Sequence, residues 1–209
     1  PFANLWINTG ALRMGDAQMS KSLGNVLTIR DAVKRHHPEV VRFFLLRPHY
    51  RSQFQFNEDQ LAEARTALAR LYTALRDTAP QGEAGVDWNE PHAARFAAAM
   101  DDDFNTPIAI ATLFELATEV NRTRSVALAT QLARLGGLLG LLQREPDEFL
   151  RGDAGASSGD SGRIDALIAE RAAAKKARNY GEADRIRAAL AAEGVLLEDS
   201  PGGTTWRRQ

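Results

Sequence analysis

Lys21 lies between two serines in GDAQMSKSLGN (residues 15–25), and an ammonium flanked by hydroxyls on a glycine-bounded stretch is suited to hold phosphate. Gly15, four residues and then Ser20-Lys21-Ser22 imitate the spacing of a P-loop. A P-loop needs glycine directly before the lysine, so that backbone N–H groups wrap the phosphates, and a helix that starts at the lysine. Here serine stands at that glycine position, and Leu23-Gly24-Asn25 breaks a helix instead of opening one. No apolar strand ending in Asp follows, so a P-loop is excluded on mechanics. The alternatives are a different lysine-bearing phosphate loop, in which Ser20 and Ser22 donate hydroxyl hydrogen bonds and Gly24 allows the bend, and a surface loop with one solvated lysine. Other clusters carry less chemistry. Asp101-Asp102-Asp103 invites a divalent cation but reads better as a helix end, with Thr106 capping the next helix. The adjacent His36 and His37 diverge on a helix, and no metal site is expected from them or from His49 and His92. No Ser/His/Asp triad, glycosidase-type carboxylate pair or dinucleotide fingerprint is present.

These side chains need elements to place them. LWINTGALRM (5–14) is expected as a β-hairpin turning at Asn8-Thr9-Gly10. Thr28 is expected to cap a helix of about ten residues, with Asp31 completing a capping box, and Pro38 to open a second helix. Residues 47–56, with alternating Phe54 and Phe56, read as an extended connector. From Asn57 the period is helical, with Leu61, Ala64, Leu68, Leu71, Tyr72 and Leu75 on one stripe. Further helices are expected over 91–102, about 107–121 and 126–143, the second capped by Thr106 ahead of Pro107, giving an antiparallel bundle. RGDAGASSGDSG (151–162) has almost nothing to bury and is expected as a flexible linker. Beyond it come two helices broken near Asn179-Tyr180-Gly181, then a hairpin of VLLED (195–199) and TTWRR (204–208).

The chain of 209 residues is 44% apolar and 25% charged, ordinary for a globular protein able to bury a core. No apolar run is long enough to span a bilayer and no signal-peptide pattern opens the chain, so no membrane partner is expected. The absence of cysteine excludes disulfides and thiolate metal sites within the chain and fits a reducing cytoplasm. Opening at Pro1 inside strand-like sequence, the chain is expected to be part of something longer. Its net charge of −1 hides an asymmetry. Residues 1–56 carry 8 Lys/Arg against 3 Asp/Glu, residues 57–162 carry 9 against 17, and residues 163–209 carry 9 against 7. Basic ends around an acidic middle suit a polyanion gripped at both ends.

MSKSLGN followed by a capped helix resembles the KMSKS motif of class I aminoacyl-tRNA synthetases. The run from MSKSLGN through TIRDAVKRHHPEVVRFFLLRPHYRSQFQFNEDQLAEAR resembles the cysteinyl-tRNA synthetase family after its active-site fold. AMDDDFNTPIAIATLFELATEVNR (99–122) is similar to that family's helical bundle, and GVLLEDSPGGTTWRRQ to its C-terminus. MSKS alone indicates only the class; DDDFNTP and GTTWRR make the resemblance specific, and it covers essentially the whole chain.

The resemblance implies a mainly α architecture. Residues 1–56 would be the end of a class I, Rossmann-like catalytic domain with its KMSKS loop, and 57–150 an antiparallel tRNA-binding bundle. After the 151–162 linker, 163–209 would be a small α+β anticodon-binding domain. It implies a ligase that activates cysteine with ATP and Mg²⁺ and transfers it to tRNA(Cys), acting as a cytoplasmic monomer. Gln18, Met19, Ser20, Lys21 and Ser22 would form the ATP-binding stretch, with Lys21 catalytic against the charge of the departing pyrophosphate. Gln18 replaces the lysine that usually opens the motif, so one of two positive charges is absent. The family's N-terminal ATP motif and its Zn²⁺ ligands are not in this chain, which is therefore expected to be inactive alone. For tRNA, Tyr180 and Asp184 share a helix face at i, i+4, one flat surface to stack and one acceptor to read a base. Lys175 would meet phosphate, while Asp199, Trp206, Arg207 and Arg208 would close the pocket, Trp206 being weighed against a core role. Arg47 and Arg51 are candidates for acceptor-stem phosphates. Two rivals remain: a cysteine ligase of the mycothiol pathway, against which the GTTWRR tail argues, and a free-standing RNA-binding module.

Overall fold

In the computed structural model, which describes residues 2–14, 17–18, 28–82, 85–152, 158–200 and 203–208, the chain begins with a small sheet. Strand β1 (Leu12–Met14) pairs antiparallel with β2 (Ala17–Gln18) and parallel with β3 (Phe54–Phe56), Leu12 lying opposite Phe54. The hairpin expected over 5–14 does not form. Gly10 is needed for close approach instead of a turn: its N–H donates to the Tyr50 carbonyl at 2.8 Å, and a Cβ there would sit 2.0 Å from the Ser52 carbonyl oxygen. Gly10 is thereby held against the 50–52 backbone, and the antiparallel pairing moves downstream.

A parallel pair needs a crossover, supplied by α1 (Ile29–Arg35) and α2 (Pro38–Leu46). Thr28 caps α1, its hydroxyl oxygen accepting from the Asp31 N–H at 3.1 Å and donating to the Asp31 carboxylate at 2.6 Å. The helix has seven residues, not ten: it ends at Arg35, His36 is extended (φ −125°, ψ 148°), and Pro38 keeps His37 out of the helical region as well (φ −55°, ψ 132°). His37 becomes the cap of α2, its Nδ1 accepting from the Glu39 N–H at 3.1 Å. The alternating phenylalanines serve packing: the Phe44 ring of α2 lies 5.6 Å from Phe54 and 5.7 Å from Phe56.

The helices α3 (Glu58–Asp77), α4 (Pro91–Asp101), α5 (Thr106–Thr123) and α6 (Val126–Leu138) pack into the bundle. The stripe on α3 is buried throughout, as its period requires. Two boundaries differ from expectation. Asn105, not Thr106, caps α5, its side chain accepting from the Ile108 N–H, and Thr106 is the first helical residue. Helix α6 stops at Leu138, because Gly140 (φ 67°) and Leu142 (φ 59°) turn the chain back until Leu142 meets Gly136. The buried Glu39 then ties three segments together: Tyr72 Oη donates to its Oε2 at 2.5 Å, and the Gln143 N–H donates to its Oε1 at 3.0 Å.

Residues Pro1–Gln143 form one compact unit and Arg144–Gln209 a second. The second holds α7 (Pro146–Arg151), α8 (Ser158–Lys176), α9 (Tyr180–Ala192), β4 (Val195–Ser200) and β5 (Gly203–Arg208). Helix α7, six residues long, is too short for its period to be read, and α8 starts inside the segment expected as linker. The core is small: Ile164, Ile186, Leu190, Val195 and Trp206, with Leu167, Ile168 and Leu197 against it. β4 and β5 form the expected hairpin, Leu197 opposite Trp206 and Asp199 opposite Thr204.

Candidate nucleic-acid interface

Of the stretch expected to bind ATP, Met19, Ser20, Lys21 and Ser22 lie outside the described residues, and Gln18 ends β2. The described candidates are mostly in the second unit, where one of them, Asp199, collects several partners. Asp199 points to the hairpin face that carries Leu197 and Trp206, because side chains alternate along a strand. Its Oδ1 accepts from Arg171 Nη1 at 2.8 Å and Thr204 Oγ1 at 2.7 Å. Its Oδ2 accepts from Arg171 Nη2 and Lys175 Nζ, both at 2.9 Å. The forked Arg171 bonds, then Thr204 and Lys175, hold the Asp199 carboxyl well below the usual carboxylate range. Asp199 in turn raises the Arg171 guanidinium further.

Lys175 is therefore committed to Asp199 instead of standing free for phosphate. Their side chains are still 43% and 42% exposed, so an anion or a base edge can compete for either from solvent. Arg171 is only 3% exposed and was not among the residues the sequence singled out. A signal for it existed. Ile164, Leu167, Ile168 and Arg171 follow the i, i+3, i+4, i+7 stripe of a buried helix face. A guanidinium at a core position demands a counter-charge, and Asp199 is that counter-charge.

Tyr180 opens α9 and is 62% exposed, while Asn179 before it takes the capping role by accepting from the Glu182 N–H. The buried side of α9 is Ala183, Ile186 and Leu190, which leaves Tyr180 and Asp184 together on an open face. Asp184 is close enough for its charge to act on Arg171, so this face and the Asp199 cluster are electrostatic neighbours.

The other candidates are placed differently. Trp206 is 3% exposed, its Nε1 donates to Asp165 Oδ1 at 2.8 Å, and the Arg151 guanidinium lies 5.7 Å from the ring centroid. A ring so enclosed takes the core role weighed against closing the pocket. Arg207 belongs to the opposite face of the hairpin, where its Nε donates to Glu198 at 2.9 Å. Arg208 lies opposite Val195, half-buried on the core side. In the first unit Arg47 stands 3.7 Å from Glu63. Arg51 donates to Asp103 through Nε at 2.6 Å and Nη2 at 3.0 Å, and Tyr50 Oη donates to the same carboxylate at 2.6 Å. These bonds, Arg51 first, lower the Asp103 carboxyl to about 2. Asp103 thus grips a distant loop, where the sequence suggested only a helix end. Three of the histidines have separate carboxylate neighbours, His36 with Glu58, His49 with Asp103 and His92 with Glu90. No group of three or more metal-ligating side chains converges among the described residues, and the chain's residues do not fit a zinc donor set.

Three family descriptions match successive parts of the chain: "tRNA synthetases class I (C) catalytic domain" over residues 1–66, "DALR domain" over 95–143, and "Cysteinyl-tRNA ligase anticodon binding domain" over 158–207. With the mainly helical fold, they define a chain of the class I aminoacyl-tRNA synthetases. The proteins named Cysteine--tRNA ligase of Ralstonia nicotianae, Cupriavidus taiwanensis and Aromatoleum aromaticum are each 57% identical to it, over 99%, 100% and 99% of its length. It spans 45% of each of those relatives. The chain belongs to the cysteine--tRNA ligase family and corresponds to the C-terminal part of its members.

Proposed function

We propose that this chain is the tRNA-gripping part of a cytoplasmic, monomeric cysteine--tRNA ligase and that Tyr180, Asp184 and Asp199 read bases of the anticodon of tRNA(Cys). The observation that carries this is the exposed Tyr180–Asp184 face beside the Arg171–Asp199–Lys175 cluster, within the segment matching an anticodon-binding domain. An exposed aromatic stacks on an unpaired base, a carboxylate held ionised accepts from exocyclic amino groups, and nearby cations offset phosphate charge. Residues 1–56 end the catalytic domain, the helical bundle that follows them in the Pro1–Gln143 unit binds tRNA, and the Arg144–Gln209 unit binds the anticodon. The presence of that last domain favours a tRNA ligase over a mycothiol-pathway enzyme.

In the whole ligase the cysteine carboxylate attacks the α-phosphate of ATP, supplied with Mg²⁺, and pyrophosphate leaves. Lys21, flanked by Gln18, Met19, Ser20 and Ser22, offsets the charge that grows on that leaving group. Gln18 contributes a hydrogen bond where the motif usually has a second cation, so the charge carried by Lys21 is correspondingly more important. The chain by itself is expected to give no cysteine-dependent pyrophosphate exchange; measurable exchange from these residues alone would show that a complete active site is present. Binding is tested separately, with tRNA(Cys) carrying altered anticodons. Affinity should fall by about 10-fold or more for a changed base, and equal affinity across the variants would rule out base reading by Tyr180, Asp184 and Asp199.

A further inference from the structure

Asp103 and the segment it grips fall in two different family-matched regions, the DALR match over 95–143 and the catalytic match over 1–66. We propose that Asp103 is a positioning residue: through Arg51 and Tyr50 it sets the backbone at Gly10, and so the small sheet from which the Lys21 stretch departs. The proposal rests on the role given to Lys21 above.

Three observations carry it. First, the turn between α4 and α5 places two consecutive non-glycine residues in the left-handed region, Asp103 at φ 54° and Phe104 at φ 53°. That conformation is costly for such residues and persists where the surroundings hold it. Second, the Asp103 carboxylate is gripped by the 49–51 segment. Oδ1 accepts from Tyr50 Oη and Arg51 Nη2, Oδ2 accepts from Arg51 Nε, and His49 Nε2 stands 3.8 Å away. A lone exposed ion pair would contribute little to stability; a fork closed by a phenol hydroxyl fixes direction as well as distance.

Third, the gripped segment touches the sheet by backbone. The Tyr50 carbonyl accepts from the Gly10 N–H at 2.8 Å, and the Ser52 carbonyl occupies the space a side chain at residue 10 would need. One residue beyond Gly10 the ladder begins, the Phe54 N–H donating to the Ala11 carbonyl at 3.3 Å. β1 and β3 therefore enter their pairing at the point Asp103 holds, and β2, paired to β1, leads in sequence into Met19–Ser22. A shift of the α4–α5 corner, as RNA bound to the bundle would impose, reaches β1 and β2 by this route.

Amide exchange and ¹⁵N–¹H spectra of the 209-residue chain test it. In Asp103→Asn, exchange at Gly10 and across Leu12–Met14 should quicken by about tenfold or more. The amide signals of Gln18 and Lys21 should shift, while protection in α3 and α5 and the overall melting temperature stay near wild type. Asp103→Glu, which keeps the charge, should restore part of the protection, and Gly10→Ala should quicken the same amides with Asp103 intact. If Asp103→Asn does not fold, Tyr50→Phe removes one bond of the grip and should give a smaller effect at the same sites. Unchanged exchange at Gly10 and β1, or a loss of protection spread evenly over α3 and α5, would overturn the proposal. Binding of tRNA(Cys) to the wild-type chain is measured alongside: its absence would sink the tRNA reading, while the exchange data still decide the role of Asp103.

Discussion

Replacing Trp206 with alanine is expected to unfold the Arg144–Gln209 unit, and tRNA binding should disappear with it. The indole is 3% exposed among Ile164, Ile186, Leu190 and Val195, so its removal leaves a cavity in the middle of a five-residue core. Truncating a buried tryptophan costs about 3–5 kcal/mol, and a domain this small has about that much stability in total. Two further contacts go with the ring: Asp165 loses the Nε1 donor and Arg151 the face it lies over. Trp206→Phe separates packing from recognition. It keeps most of the apolar volume, loses the hydrogen bond to Asp165, and should cost roughly 1–2 kcal/mol. The folded variant should bind tRNA with its affinity nearly unchanged. Calorimetry and filter binding on the two variants read both quantities, and a well-folded phenylalanine variant with strongly weakened binding would return Trp206 to the RNA interface.

Tyr180→Ala is expected to behave in the opposite way. Its ring is 62% exposed and lies at the first position of α9, where Asn179 keeps the cap whatever follows it. Little packing is lost, so the melting temperature should hold. If a base stacks on the ring, its removal should weaken tRNA(Cys) binding by roughly 5- to 150-fold, the range of 1–3 kcal/mol per stacked base. Tyr180→Phe, which keeps the π-face, should retain most of the affinity. An unchanged dissociation constant for the alanine variant would exclude Tyr180 as a platform. Asp184, one turn along the same face, and Asp199 would then have no aromatic partner for a base.

The two aromatics differ in a respect that spacing does not carry. Tyr180 follows a helix break and precedes polar residues, so local pattern already turns it outward. Trp206 sits in an alternating strand, TTWRR, where either face fits the pattern. The choice is made by Leu197 across the hairpin and by Ile164, Ile186 and Leu190 from two helices. Arg171 was legible in principle, as a charge on an apolar stripe, but its partner Asp199 lies on a separate element.

What the sequence determined by itself are features set within a few residues. Thr28, Asn57 and Asn179 take up the first free N–H groups of their own helices, Pro38 ends one helix and opens the next, and the apolar stripe of α3 declares its buried face. The MSKS string, DDDFNTP and GTTWRR likewise carried the family in the order of their letters. The tertiary structure decided the pairings between distant residues: β1 beside β3, Gly10 against Tyr50 and Ser52, Asp103 on Arg51, and Asp199 on Arg171. The reason is physical. Period and capping chemistry say which side of an element faces inward, whereas a close backbone approach or a forked ion pair exists only once packing has brought two separate segments together.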